Sequence, residues 1–138
     1  MNFRITNDGN VNDINEIKSM LEAYNTAHGA AADKTPVGIY YEDENGKKLA
    51  GITGNIFGNW LFIDFLFVSE SLRGQGIGKE LISMIEENAK EHGCRFAFVS
   101  TNGFQAPGFY PKLGYKNVFT VEEFPRDGKR FYFTKNLV

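Results

Sequence analysis

The stretch SLRGQGIGKEL, Ser71 to Leu81, places three glycines at alternate positions directly before an amphipathic helical pattern. Each interior glycine costs a folding chain about 0.5–1 kcal/mol relative to alanine, so the run calls for a compensating role. The first N–H groups of a helix lack internal partners, the helix dipole is positive there, and glycines let a phosphate approach closely. Arg73 adds a positive charge to the loop. The stretch favours a phosphate site, with a purely structural tight turn as the alternative.

The residues after the glycines predict the clearest helix of the chain, because apolar side chains recur at helical spacing. Gly93 suits a C-terminal cap, and His92 lies near the negative helix end. The apolar stripe comprises Ile77, Leu81, Ile85 and Ala89, broadened by Ile82 and Met84. The remaining faces are expected to carry the charged residues Lys79, Glu80, Glu86, Glu87, Lys90 and Glu91.

Turn residues and alternating patterns predict the other elements. The Asn-Gly turn at residues 43–46 indicates a hairpin of Val37 to Glu42 with Lys48 to Phe57, and Gly58-Asn59 leads into a third antiparallel strand, Trp60 to Val68. A strand at Phe3–Thr6, a helix at Asp13–Thr26 capped by Asn10 or Asn12, and a loop at Ala27–Pro36 precede them. A strand at Arg95–Thr101, a short helix at Gly108–Leu113 and strands at Val118–Glu122 and Arg130–Thr134 follow.

Together these elements predict one α/β (mixed α+β) domain over residues 1–138, with a largely antiparallel mixed sheet and helices on both faces. The single cysteine, Cys94, cannot form an internal disulfide, which favours a reducing, cytoplasmic location. No apolar run has the roughly 20 residues that span a bilayer, so no membrane is expected. A net charge of −2 without a basic cluster argues against nucleic acid as a partner.

Two familiar phosphate motifs do not fit the glycine loop. A Walker A loop requires four residues between its first and second glycines and Ser or Thr after its lysine, whereas Glu80 follows Lys79 here. A dinucleotide fold requires G-x-G-x-x-G and an acidic residue at the end of the next strand, where this chain has Ser100-Thr101. A nucleotide-binding switch domain is therefore disfavoured.

A third pattern fits. The run from Val68 through Arg73 and Gly76 to Gly78 resembles the acyl-CoA signature of the GNAT superfamily of N-acetyltransferases, a strand ending in Val, four residues, and [RQ]-x-x-G-x-[GA] opening a helix. FYPKLGY, Phe109 to Tyr115, resembles the family's second signature, F-Y-x-x-x-G-[FY]. The resemblance extends over nearly the whole chain, with its specific content between Trp60 and Tyr115. It implies a GNAT-like sheet splayed in the middle and acetyl-CoA as co-substrate. No metal is expected, because no cluster of His, Cys or carboxylate residues in the sequence has metal-ligand spacing.

The resemblance also implies where the cofactor binds. Backbone N–H groups from Arg73 to Lys79 would hold the diphosphate, and the pantetheine arm would lie between the strands Trp60–Val68 and Arg95–Thr101. Asn102 would reach the pantetheine or the thioester, with a turn residue as the alternative. The residues expected at the cofactor are Phe67, Val68, Arg73, Gly74, Gln75, Gly76, Ile77, Gly78, Lys79, Asn102, Phe109 and Tyr110.

Acetyl transfer to an amine needs a neutral amine, a donor for the oxyanion and a proton for the leaving thiolate. By the resemblance, the Val68 N–H serves the oxyanion and Tyr110 is the acid; packing against the cofactor arm is the alternative for Tyr110. Asp64 is the candidate base, because it is the only charge inside the strand WLFIDFLFV and alternation predicts that it shares a face with Leu66 and Val68. A structural carboxylate is the alternative.

The sequence also suggests roles for His28, Cys94 and Pro111. His28 is a weaker candidate base, in a loop that borders the acceptor site in the family. Cys94 has no histidine paired with it in the pattern and is expected to be buried rather than nucleophilic. Pro111 directly follows Tyr110 and is tolerated only in a first helical turn, which predicts that the short helix begins near Pro107–Gly108.

The sequence thus predicts an acetyl-CoA-dependent N-acetyltransferase that acts by direct attack in a ternary complex on a primary amine, with a small molecule preferred. The sequence leaves open two alternatives: a protein N-terminus or lysine as the acceptor, and a non-catalytic acyl-CoA-binding module. It also does not decide between acetyl and longer acyl groups, or between a monomer and a homodimer. The acceptor pocket is expected from the first helix and its loop, from Trp60 to Asp64, and from the Glu122–Lys129 loop with Phe124 and Pro125.

Overall fold

The computed structural model describes residues 1–29, 34–103 and 107–138, whose contacts form two compact units, Met1–Asp33 and Lys34–Val138. In the first unit, helix α1 spans Val11–Ala27, and the Asn10 side-chain oxygen caps it by accepting from the N–H groups of Asn12 and Asp13. The predicted helix is confirmed. No helix in the described part of the chain, α1 included, is long and apolar enough to cross a membrane.

The second unit contains one six-stranded sheet in the order β1-β2-β3-β4-β6-β5. Its neighbours are antiparallel except for β3 and β4, which are parallel and are joined by helix α2. The predicted mixed, largely antiparallel sheet is therefore confirmed. The elements are β1 (Lys34–Glu42), β2 (Lys48–Phe57), β3 (Trp60–Val68), α2 (Ile77–Glu91), β4 (Phe96–Asn102), β5 (Lys116–Glu122) and β6 (Lys129–Asn136).

Helix α2 packs its apolar stripe on one face of this sheet. Ile85 of α2, Ile52 of β2 and Leu61 of β3 are fully buried in one core cluster. Burying each such side chain contributes about 1.5–3 kcal/mol. The packing fixes the helix against β1, β2 and β3, and with it the position of the glycine loop at its start.

A β-bulge interrupts the pairing of β2 with β3 at Asp64. Thr53 pairs with Phe65 and Gly54 with Ile63, so Asp64 has no partner in the ladder. An extra residue shifts the alternation of side chains, and the prediction that Asp64 shares a face with Leu66 and Val68 is therefore wrong. Leu66 and Val68 pack against the core, whereas Asp64 and Phe65 are exposed.

Several boundaries differ from the prediction. The strand expected at Phe3–Thr6 is wrong, because those residues have no regular structure and every strand of the sheet lies at or after Lys34. The loop predicted at Ala27–Pro36 is shorter, since β1 begins at Lys34 and accommodates Pro36 as an edge strand; residues 30–33 lie outside the described residues. Strand β4 is displaced by one residue, to Phe96–Asn102.

The short helix near residue 110 is a single 3-10 turn over Pro111–Leu113. The predicted start near Pro107–Gly108 is therefore wrong, and the turn begins at the proline itself. Pro111 occupies the first helical position, where its missing N–H costs no hydrogen bond. Tyr110 precedes it in helical conformation, and Gly114 ends the turn with a φ of 93°.

Glu86 of α2 is buried rather than exposed on a solvent face, which corrects another expectation. The Tyr115 hydroxyl donates to Glu86 Oε2 at 2.7 Å, and Lys135 Nζ donates to both carboxylate oxygens at 3.0 and 3.1 Å. The burial of each polar group is thus compensated by a partner. This network joins α2 to β6 and to the residue that follows the 3-10 turn.

Candidate active site

The sheet parts between its third and fourth strands. The β3–β4 ladder runs only from Trp60 paired with Phe96 to Ile63 paired with Val99. Beyond that point β3 continues to Val68 beside β2, and β4 continues to Asn102 beside β6. Within the described strands, the halves of β3 and β4 past these pairs face a gap. The predicted splay in the middle of the sheet is therefore observed.

The backbone of β3 presents hydrogen-bonding groups to this gap. Ser69 N–H donates to the Leu49 carbonyl oxygen of the neighbouring β2 side at 2.9 Å. Because N–H directions alternate along a strand, the N–H of Val68 points the opposite way, toward the gap. The Val68 carbonyl oxygen accepts from Arg73 Nε at 3.0 Å. Val68 N–H is thus placed to donate to a carbonyl oxygen bound between the strands.

The glycine loop leads from β3 to the start of α2. Gly74 and Gly76 have φ angles of 80° and 79°, a conformation that L side chains rarely adopt. Gly76 precedes the first helical residue, and the first internal hydrogen bond of α2 runs from Glu80 N–H to Gly76 O at 3.0 Å. The earlier N–H groups of α2, those of residues 77–79, have no intrahelical acceptor and can donate to an anion.

Phe109 closes this loop from the other side. A β-carbon at Gly78 would lie 3.4 Å from Phe109 Cζ and 3.7 Å from Val68 Cγ2. The end of β3, the first turn of α2 and the segment before the 3-10 turn therefore meet at one point. Both sequence signatures contribute to it, and a β-carbon at Gly78 would fill the space between these groups at ordinary contact distance.

Tyr110 adjoins this meeting point and is nearly buried, with 7% of its surface exposed. Its ring contacts those of Phe109, Tyr115 and Phe133. Burial raises the pKa of the Tyr110 phenol, so the hydroxyl keeps its proton well into alkaline solution. No hydrogen bond joins that hydroxyl to another described residue, and the described residues hold no fully buried side-chain oxygen or nitrogen without a partner, so the Tyr110 oxygen retains access to solvent. A protonated donor without an internal acceptor suits a general acid.

Asp64 lies on the face of the sheet opposite α2, at the point where β3 leaves β4. Asn55 Nδ2 donates to its carboxylate at 2.7 Å. The two side chains line an open groove of about 390 Å³ together with Lys34, Phe57 and Phe62. The carboxylate is exposed to solvent and oriented by Asn55, so it can accept a proton directly or through water.

Comparison with known proteins identifies the family. The sequence model of the GNAT family of acetyltransferases matches residues 11–115. The chain belongs to this family.

Relatives of this GNAT acetyltransferase agree with the assignment. It is 31% identical to acetyltransferase Atu2258 of Agrobacterium fabrum over 86% of each chain. It is 39% identical to the blasticidin-S acetyltransferase of Streptomyces morookaense over 59% of this chain and 61% of that protein. The chain is an acetyltransferase.

Solved structures share its fold. A crystal structure of an Agrobacterium tumefaciens acetyltransferase matches with a TM-score of 0.93 at 28% identity, covering 99% of each chain. The structure of an aminoglycoside 6′-N-acetyltransferase complexed with coenzyme A matches with a TM-score of 0.68 at 15% identity, covering 100% of this chain and 98% of that one. The second match supports the fold alone.

The sequence also singled out His28 and Cys94 of this acetyltransferase. His28 ends α1, where its Nδ1 lies 2.9 Å from the Tyr24 carbonyl oxygen and its ring stacks on that of Tyr24. Cys94 is buried before β4, and burial raises the pKa of its thiol, which disfavours a thiolate nucleophile. The described residues contain no cluster of three or more metal-ligating side chains.

The remaining residues expected at the cofactor lie partly against the core and partly on the surface. Ile77 packs against the core, and Gln75 donates to the Ser71 carbonyl oxygen at 3.4 Å. Lys79 is exposed on the first turn of α2, and Phe67 is exposed on the sheet face opposite that helix. These side chains do not point toward one common position. If these residues contact a cofactor, they do so mainly through backbone groups.

Asn102, the last residue of β4, accepts from an arginine that sequence reasoning missed. Arg130 of β6 donates to Asn102 Oδ1 at 3.1 Å and to Ser100 Oγ at 2.7 Å. The pairing of Asn102 with Arg130 across the β4–β6 ladder creates this contact. No local pattern in the sequence indicates it, because the partners are separated by 28 residues.

Proposed function

We propose that this GNAT acetyltransferase transfers an acetyl group from acetyl-CoA to a primary amine of a small molecule by direct attack in a ternary complex. The observation that carries the proposal is the parted β3–β4 pair, with the Val68 N–H directed into the gap next to the Gly78–Phe109 contact. A thioester in that gap lies beside both an oxyanion donor and Tyr110.

The glycine loop supports coenzyme A as the carrier of the acetyl group. Gly74 and Gly76 adopt left-handed φ angles that expose the backbone, and the first N–H groups of α2 have no intrahelical acceptor. We assign the diphosphate to the backbone N–H groups of residues 73–79 and the pantetheine arm to the gap. The family signature and the coenzyme A complex of the aminoglycoside enzyme with this fold support the assignment.

The chemistry follows from three groups. The neutral amine attacks the thioester carbon, a C–N bond forms, and the Val68 N–H stabilises the oxyanion. The C–S bond then breaks, and Tyr110 gives its proton to the departing thiolate. The proton lost by the amine goes to Asp64, directly or through water, and solvent restores the proton of Tyr110.

A small-molecule acceptor is supported by the relatives. The blasticidin-S and aminoglycoside enzymes are named for small-molecule substrates, and the groove at Asp64 is open and of modest volume. A protein N-terminus or lysine is the second candidate acceptor. A non-catalytic acyl-CoA-binding module would not need Tyr110 or Asp64, and the presence of both favours the enzyme.

Calorimetry with coenzyme A and thiol release from acetyl-CoA over a panel of amines test the proposal. We expect wild type to bind coenzyme A and to acetylate at least one small amine. Coenzyme A binding without turnover of any amine or peptide would favour the binding module. Absence of binding to coenzyme A, with binding to ATP or NAD instead, would contradict the cofactor assignment itself.

A further inference from the structure

Arg130 lies where a second group of the acceptor could bind. Buried and less buried residues alternate along β4, and its core face carries Val99 and Thr101, so Ser100 and Asn102 lie on the face opposite α2. Arg130 extends to these two side chains from β6 and donates to both. Its guanidinium is therefore fixed on that face, beside the end of β4.

The charge of Arg130 has no counter-charge among the described residues. Its two side-chain acceptors, a hydroxyl and an amide oxygen, are neutral. Its guanidinium lies 5.3 Å from the ring centroid of Phe124 and 5.8 Å from that of Tyr132. The neighbouring Lys129, in contrast, pairs with Glu122 at 3.7 Å. A partly desolvated arginine is usually paired with an anion, and its planar fork matches a carboxylate or a phosphate.

The arginine and Asp64 flank the point where the sheet parts. The last β3–β4 pair is Ile63 with Val99, and the next residues of the two strands are Asp64 and Ser100. The carboxylate lies on the same face as the hydroxyl that Arg130 contacts. The glycine loop and the Phe109 contact belong to the α2 side, so an acceptor that meets the thioester from the opposite face passes between a negative and a positive group.

We propose that Arg130 forms an anion-binding subsite and that the natural acceptor is an amine that also carries a carboxylate or phosphate group. This inference rests on the proposed function, because it concerns the acceptor side of the same gap. Asp64 attracts the ammonium group before it loses its proton, and Arg130 orients the molecule through its anionic group.

A structural role for Arg130 makes a different prediction. The arginine could serve only to hold the loop after β5 through its contact with Phe124. That loop is already closed by Phe124 N–H donating to the Gly128 carbonyl oxygen at 2.9 Å. If Arg130 were only structural, its removal would slow all acceptors equally, whereas an anion subsite affects only acceptors that carry the anion.

Matched acceptor pairs separate the two roles: glucosamine 6-phosphate with glucosamine, L-phenylalanine with phenethylamine, and 4-aminobutyrate with butylamine. We expect an anionic member to be acetylated with kcat/KM about tenfold or more above its neutral partner, and Arg130→Met to remove that preference mainly through KM. The neutral partner should change by less than about twofold, since it makes no ion pair with Arg130. Lys116→Met, which removes an exposed positive charge at the start of β5, is the matched control and should leave both members unchanged.

The Kd for coenzyme A is measured by calorimetry for each variant, and we expect Arg130→Met to have the same Kd as wild type. Equal or better turnover of the neutral members, or an equal loss for both members in Arg130→Met, would overturn the anion subsite while leaving the acetyltransferase proposal intact. Coenzyme A binding without turnover of any member, or of any other amine, would overturn both.

Discussion

The ring of Phe109 lies against Gly78, where a β-carbon would stand 3.4 Å from Phe109 Cζ. The two residues are 31 positions apart in the sequence and belong to the two different family signatures. Their contact joins the first turn of α2 to the segment that carries Tyr110. The glycine loop and the segment of the candidate acid are therefore in direct contact.

Gly78→Ala tests this contact. Alanine favours the helix by about 1 kcal/mol, so the free energy of unfolding should stay within about 1 kcal/mol of wild type. A methyl at this position stands at ordinary contact distance from Phe109, and the family signature admits alanine here, so the Kd for coenzyme A should stay within about threefold of wild type. In Gly78→Leu the larger side chain must displace Phe109 or occupy the space proposed for the diphosphate, so that Kd should rise about tenfold or more. Urea unfolding and calorimetry measure the two effects. Ser83→Leu, at an exposed position of the same helix, is the control, and an unchanged Kd in Gly78→Leu would refute the proposed diphosphate site.

Gly76→Ala should instead lower stability. The φ of 79° at Gly76 places alanine in the left-handed region, which costs about 1–2 kcal/mol. Gly76→Asn should cost less, because asparagine tolerates this region better than other residues with a β-carbon. Urea denaturation of both variants checks the order. Equal stabilities for the alanine and asparagine variants would show that the loop relaxes out of this conformation.

Tyr110→Phe should lower kcat by about a hundredfold, within the range typical of a lost general acid. The ring contacts are kept and no internal hydrogen bond of the described residues is lost, so stability and the Kd for coenzyme A should change little. Because burial raises the pKa of Tyr110, the wild-type rate should not fall between pH 7 and pH 10 through loss of this proton. Tyr41→Phe, at an exposed tyrosine, is the control, and full activity in Tyr110→Phe would leave Tyr110 a packing residue.

Asp64→Asn separates a base from a structural carboxylate. Asparagine can still accept from Asn55, and the position is exposed, so stability should change by less than about 1 kcal/mol. If Asp64 is the base, kcat should fall about a hundredfold, and the rate should recover as pH rises and the amine deprotonates on its own. The pH profile of kcat/KM for wild type and the variant makes the distinction. Glu91→Gln is a surface control, and an unaltered profile would assign the carboxylate a structural role.

The Tyr115–Glu86–Lys135 network should influence alkaline stability. Burial, and secondarily the hydrogen bond to Glu86, raises the pKa of Tyr115 far above its usual value of 10.0. Below pH 10 the tyrosine is protonated in the folded and unfolded states, and its contribution is fully present. Above pH 10 only the unfolded state loses the proton, so stability falls by about 1.4 kcal/mol per pH unit for this group.

Tyr115→Phe should remove that part of the slope between pH 10 and pH 11.5, although it lowers stability at neutral pH by about 1–2 kcal/mol through the lost hydrogen bond. Urea unfolding across this pH range measures both. Identical slopes for wild type and the variant would mean that Tyr115 is not protected from ionisation in the folded protein.

Local patterns predicted much of the second unit. The Asn-Gly turn and the alternation around it placed β2 and β3 at their observed bounds, because these signals act within a few residues. Glu86 was misjudged although it stands four residues after Ile82 and three before Ala89, inside the buried stripe. Its charge argued for solvent, and the compensating partners Tyr115 and Lys135 come from segments 29 and 49 residues away.

The candidate site likewise has features that local sequence predicts and features that depend on long-range contacts. By itself the sequence determined the start of α2, the glycine-rich loop before it and the family, since these depend on residue types and spacing within short segments. Only the tertiary structure decided that Asp64 faces away from the core, that Phe109 meets Gly78 and that Arg130 contacts Asn102. A bulge depends on the register of the neighbouring strand, and contacts across a sheet depend on which strands pair, which no local pattern of residues specifies.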